Sequence, residues 1–281
     1  METIVAPAQN LQGQIDLRGS ENLHICHVEH IRDIPGCQPK VTPRDSSTSL
    51  GMTRIADKII VALDVATKEK ALDLVEELRG QISFFKIGLQ LYTAEGPEIV
   101  RAVRAIGANV FLDLKLHDIP NTVARAVESA AQLQIQMLTI HLSGGEAMIQ
   151  AAVSAKSRDL LLLGVTVLTS ADEQTLRQIG IPDKIENHVL RLAKLGVKNG
   201  IDGIVASPHE ITTLRREFGD RIKIVVPGIR PGGSESADQK RVMTPREAIH
   251  AGADYMVIGR PIIAQSSPRE AVSKILQELN V

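Results

Sequence analysis

The chain has 281 residues, a formal net charge of -1 and 43% hydrophobic content, which suits one sizeable domain with a substantial core. A balance so close to neutral leaves no electrostatic footprint for nucleic acid, and no apolar run approaches the roughly 20 residues that span a bilayer. The N-terminus lacks the basic start and apolar stretch of a secretory signal, so a cytoplasmic location without membrane attachment is expected.

Residues 1–51 show no sustained periodicity and close on the polar run from Thr42 to Ser49, the composition of a poorly ordered extension. His24, Cys26, His27 and His30 fall close together there. No second cysteine pair at finger spacing accompanies them, so a plain tail is favoured over a metal site. Both cysteines, Cys26 and Cys37, lie in this part, and nothing downstream depends on a disulfide. Met52 stands directly before a regular pattern, and residues 52–281 are expected to form a single domain.

Aromatic residues make up only 2% of the chain, so the core has to come from Ile, Val, Leu and Ala, as in β-branched strands covered by Ala- and Leu-rich helices. Short apolar runs at 59–63, 84–87, 109–114, 137–141, 160–167, 203–206, 222–226 and 255–258 read as strands. Amphipathic stretches, such as 68–78, 97–106, 121–133, 186–199, 210–218 and 245–251, alternate with them. Alternation of this kind implies parallel strands with helical crossovers, and eight units in this length fit an α/β fold of the (β/α)8 TIM-barrel type. A doubly wound open sheet fits less well, because it usually has fewer strands and no G-x-G-x-x-G follows the first one.

Barrels of this type place their chemistry at the C-terminal ends of the strands. Here the first strand ends at Asp64, the second carries Lys86, and the third delivers Asp113 and Lys115, followed by Asp118. Strand side chains alternate faces, so Asp113 and Lys115 share one. Salt bridges that merely plug the barrel are the plainer reading. Desolvating several ions together is costly, however, so their clustering at the catalytic face points to function. Strand seven runs into Pro227, Gly228 and Arg230, and strand eight into Gly259 and Arg260. Glycine turns after these two strands, each with an arginine, suit a phosphate. The polar loop 230–243, with Gln239 in it, reads as a lid over that phosphate.

The run from Asp113 to Thr122, DLKLHDIPNT, resembles the signature of the orotidine 5′-phosphate decarboxylase family. Further pieces follow in order: ALD at 62–64, FKIG at 85–88, VLTS at 167–170, PGIRP at 227–231 and IGRPI at 258–262. The resemblance spans residues 52–281. It implies decarboxylation of orotidine 5′-phosphate to UMP and CO2 with no cofactor or metal. An array of Lys86, Asp113, Lys115 and Asp118 would surround the pyrimidine carboxylate, with Lys115 as proton donor. Asp118 and Thr122 would reach the partner's site in a homodimer with shared active sites. Asp64 and Lys86 would hold the ribose, and Thr169 and Ser170 would face the pyrimidine. Pro227, Arg230, Gln239, Gly259 and Arg260 would border the phosphate. Metal-dependent sugar-phosphate decarboxylases and aldolases of the same fold are the rivals, since they share Asp-x-Lys but lack the Asp-Ile-Pro-Asn-Thr continuation. A non-catalytic nucleotide-phosphate sensor would be expected to lose Lys115 or an aspartate, and all are present.

Overall fold

Largely apolar runs form the strands β1 (Ile59–Ala62), β2 (Phe84–Gly88), β3 (Asn109–Leu116), β4 (Met137–His141), β5 (Leu161–Val165), β6 (Gly203–Val205), β7 (Lys223–Val226) and β8 (Tyr255–Ile258). The structure, a computed structural model, describes residues 55–231 and 243–279. The expected N-terminal extension with its His and Cys cluster, Met52, and most of the expected lid with Gln239 lie outside the described residues.

Each strand pairs in parallel with the next, and β8 pairs with β1, so the sheet closes on itself. This is the expected (β/α)8 barrel and not the open sheet. Crossovers are made by α1 (Lys68–Glu77), α2 (Leu89–Glu95), α3 (Glu98–Ala105), α4 (Pro120–Ala131), α5 (Gly145–Ala155), α6 (Glu173–Gln178), α7 (Ile185–Lys198), α8 (Ile211–Phe218) and α9 (Pro245–Ala251). After β8 come the short α10 (Arg260–Ile263) and the closing α11 (Pro268–Leu279). Among the described residues no helix is long and apolar enough to cross a membrane.

Alternation along the strands divides the core into two layers. Ile60, Phe84, Phe111, Met137, Leu163, Val225 and Val257 fill the barrel, while Ile59, Val61, Phe85, Val110, Leu112 and Leu138 pack outward against the helices. The four phenylalanines of the chain are all buried, two inside the barrel and two outside it. Each such side chain contributes about 1.5–3 kcal/mol by leaving water. After β4, Leu142 wedges between β5 and α7, where only glycine leaves room: a Cβ on Gly164 or Gly196 would come within 2.7 or 2.9 Å of it.

The N-terminal end of the barrel is closed by a repeated device. Gln136, Asp202 and Asp254 each stand immediately before an even-numbered strand, and each makes two hydrogen bonds to one residue of the preceding strand. Their backbone N–H groups donate to the carbonyls of Val110, Leu162 and Ile224 at 3.0–3.1 Å. Their side chains accept from the N–H groups of the same three residues at 2.7, 2.7 and 2.9 Å. Strand ends that would otherwise expose unpaired donors are satisfied in this way.

One strand departs from regular pairing. In β3, Leu112 pairs with Leu138, but the next pair is Leu116 with Ile140, so four steps along β3 match two along β4. Lys115 lies in this interruption with φ of 51°, a left-handed conformation that costs a non-glycine residue roughly 1–2 kcal/mol.

Candidate active site

Inward-facing positions of the first four strands change from apolar to polar toward the C-terminal end. The sequence runs Ile60, Ala62, Asp64 from β1; Phe84, Lys86 from β2; Phe111, Asp113, Lys115 from β3; and Met137, Thr139, His141 from β4. The strands opposite stay apolar to their ends, with Val165, Val205 and Val257 at the same mouth. The result is a cavity of about 240 Å³ with a charged wall and an apolar floor.

The charges on that wall alternate. Lys115 Nζ donates to Asp113 Oδ2 at 2.8 Å, Lys86 Nζ lies 3.8 Å from the same oxygen, and Lys86 Nζ donates to Asp64 Oδ1 at 3.1 Å. The side chains of Lys86 and Asp113 keep only 11% and 14% of their exposure, against 29% for Lys115. Holding such groups charged in a half-dry mouth requires that each have an opposite partner. The other wall carries Pro227, Gly228, Arg230, Gly259 and Arg260. Gly228 has φ of 81°, and the Arg230 N–H donates to the carbonyl of Met243 at 2.9 Å, which fixes the exit of β7. Among the described residues, the cations Lys86, Lys115, Arg230 and Arg260 and the carboxylates of Asp64 and Asp113 line this cavity.

Of the residues singled out from the sequence, Asp64, Lys86, Asp113, Lys115, Thr169, Pro227, Arg230, Gly259 and Arg260 line one cavity. Asp118, Thr122 and Ser170 are exposed and are not part of its lining. The Asp118 carboxylate instead accepts from the N–H of Ile119 at 2.6 Å. Asp113 and Lys115 do meet, yet simple alternation is not the whole reason, because the interrupted pairing of β3 intervenes.

Three further residues of the site have no role that the sequence alone makes evident. A Cβ on Gly88 would lie 2.9 Å from Lys86 Nζ and 3.6 Å from Asp64 Oδ1, so its missing side chain makes room for that ion pair. Thr139 is fully buried and hydrogen-bonded to β3. His141 stacks obliquely on His117, ring centres 5.4 Å apart. Burial pushes the His141 pKa down, His117 and Lys115 push the same way, and Asp113 opposes them. The signal for Thr139 and His141 lies in the alternation of MLTIH, which turns both toward the barrel.

Comparison with known proteins agrees with this geometry. The family model described as "Orotidine 5'-phosphate decarboxylase / HUMPS family" matches residues 57–275. The orotidine 5′-phosphate decarboxylase of Carboxydothermus hydrogenoformans is 46% identical over 232 residues, 80% of this chain and 97% of its own. That of Opitutus terrae is 49% identical over 228 residues, 80% of this chain and 99% of its own. Among solved structures, the orotidine 5′-phosphate decarboxylase of Lactobacillus acidophilus superposes with a TM-score of 0.71 at 33% identity, covering 80% of this chain and 100% of that one. A match that spans the barrel from before β1 into α11, with relatives this similar, shows that the chain belongs to the orotidine 5′-phosphate decarboxylase / HUMPS family.

Proposed function

We propose that the chain decarboxylates orotidine 5′-phosphate to UMP and CO2, the last step of UMP synthesis, with Lys115 as the proton donor. The observation that carries this reading is the alternating run of Asp64, Lys86, Asp113 and Lys115 at the mouth of the barrel. Relatives named for this activity match over nearly their whole length.

Loss of CO2 from C6 leaves an electron pair that the ring carbonyls cannot delocalise directly. The protein therefore has to stabilise it with charge that is already in place. The Lys115 ammonium would offset that developing charge and then hand its proton to C6. Asp113, hydrogen-bonded to Lys115, would orient its ammonium and crowd the departing carboxylate. Asp64 and Lys86 would hold the ribose hydroxyls, and Thr169 and Ser170 would face the pyrimidine. Pro227, Arg230, Gln239, Gly259 and Arg260 would surround the phosphate, whose binding energy, remote from C6, can drive closure of the loop after β7.

The reading also carries a homodimer in which Asp118 and Thr122 complete the partner's site, and a cytoplasmic location. Asp118 lies outside its own chain's cavity lining. Beside it Ile119 is 67% exposed, and Leu89, at the exit of β2, is 55% exposed. Large apolar side chains flanking the mouth suit burial against a second copy. The activity is assigned to residues 52–281, with 1–51 as an extension outside the catalytic domain, so a chain starting at Met52 is expected to keep full turnover.

The direct test is the loss of orotidine 5′-phosphate absorbance on adding purified protein in the presence of a chelator. Sustained turnover is expected. Turnover that requires an added divalent metal, or acts on a sugar phosphate instead, would overturn the assignment in favour of the metal-dependent enzymes of the same fold. Mixing inactive Lys115→Ala and Asp118→Ala chains tests the shared site, because a mixed dimer regains one intact centre. Heterodimers that form without recovering activity would rule sharing out.

A further inference from the structure

The interruption in β3 is not held by strand pairing alone, because a side chain from β4 occupies it. Met137 faces the barrel interior and Leu138 and Ile140 pack outward, so Thr139 falls on the inward face, level with the charged wall. It is fully buried. Its Oγ1 accepts from the N–H of Lys115 at 2.8 Å and donates to Asp113 Oδ1 at 2.9 Å. Asp113 Oδ2, the other oxygen, receives Lys115 Nζ. One hydroxyl therefore joins the backbone and the carboxylate that together aim a single ammonium.

The backbone at Lys115 needs such a partner. With φ of 51° it is in a conformation that a non-glycine residue leaves unless its surroundings hold it. A carboxylate free to rotate would likewise present its charge in more than one direction. A hydroxyl that accepts from one group and donates to the other fixes both.

We propose that Thr139 is a positioning residue for the decarboxylation, acting through Lys115 and Asp113 by holding the strained lysine backbone and the carboxylate in one arrangement. This rests on the roles given above to Lys115 and Asp113. Thr139 does not line the cavity, so its effect falls on the chemical step and not on affinity for the phosphate.

Thr139→Val keeps the shape of the side chain and removes both hydrogen bonds, while Thr139→Ser keeps the hydroxyl. Thr139→Val is expected to lower kcat roughly 100-fold, the scale of a misplaced reacting group, with KM and the affinity for UMP changed less than about threefold. Thr139→Ser is expected to recover most of the lost kcat. Wild-type kcat in Thr139→Val, or a Thr139→Ser enzyme as slow as Thr139→Val, overturns the proposal. Should Thr139→Val not fold, Thr139→Ala set against Thr139→Ser makes the same contrast. Lys115→Ala measured alongside separates the two ways of failing. If it is inactive while Thr139→Val is fully active, only the role of Thr139 falls; if it turns over normally, the assignment of Lys115 falls and that of Thr139 with it.

Discussion

Carboxylates occupy both ends of this barrel, and they are held by different kinds of partner. At the N-terminal end, Asp202 and Asp254 each accept from a backbone N–H of the preceding strand, with Lys156 beside the first and Arg215 and Lys223 beside the second. Burial by itself pushes the Asp254 carboxyl up, but the Ile224 amide, Arg215 and Lys223 more than offset that and hold it below the ordinary carboxylate range. At the C-terminal end, Asp113 is held by side chains, those of Thr139, Lys115 and Lys86. A carboxylate tied to main chain fixes strand register. One tied to ammonium groups at an open mouth leaves those groups able to answer a ligand. Under the proposed function the same residue type serves stability at one end and chemistry at the other, the division expected of this fold.

The largest test of that division is Lys115→Ala. Turnover is expected to fall by about 10⁴-fold or more, the upper scale for a proton donor, while the urea unfolding midpoint changes far less, since alanine inherits the same left-handed backbone and Asp113 keeps Thr139 and Lys86 as partners. A fall in stability as large as the fall in activity would mean that the mouth is structural after all. Next comes Asp254→Ala at the other end. It strips the buried Ile224 N–H of a partner and is expected to cost about 1–3 kcal/mol in denaturant unfolding, with kcat unaltered in the molecules that remain folded. A change in kcat there would show that the ends are coupled. Gly88→Ala is expected to lower kcat/KM about tenfold, short of the 10²-fold of a full misplacement, because the new Cβ displaces Lys86 Nζ and not the backbone. Thermal unfolding would confirm that its fold is intact.

The smallest expected effect is on pH. Burial lowers the pKa of His141, and also that of His188, where Arg191 adds to the shift and Asp183 opposes it. Both start from 6.5. As pH falls through that value the unfolded chain takes up protons that the folded chain refuses, so stability is complete above it and declines toward acid. The urea midpoint should therefore be lower at about pH 5.5 than at about pH 7.5, and His141→Asn should flatten part of that slope. A midpoint that rises on acidification would contradict the sign.

Much of the site is legible in the amino-acid sequence. Asp64, Lys86, Asp113 and Lys115 can be placed at one mouth because parallel strands end on one side, and the glycine and arginine turns follow from their order along the chain. The helices α2 and α5 are less visible, since α2 is only seven residues long and α5 is rich in Ala, which blurs an apolar stripe. Gly88 closes the FKIG run with no evident role, because a side chain's absence acquires meaning only from what fills the space.

The order of residues along the chain carries the alternation of strand and helix, the count of eight such units and the charged ends of the first three strands. Each of these is a short-range regularity, a period of two or of 3.6 that neighbouring residues express together. The way β3 breaks step with β4 emerges from the assembled barrel alone. At that break Thr139 accepts a hydrogen bond from the Lys115 N–H and donates one to Asp113, 24 and 26 positions away along the chain. No local pattern specifies such contacts, because they exist only once the two strands lie side by side.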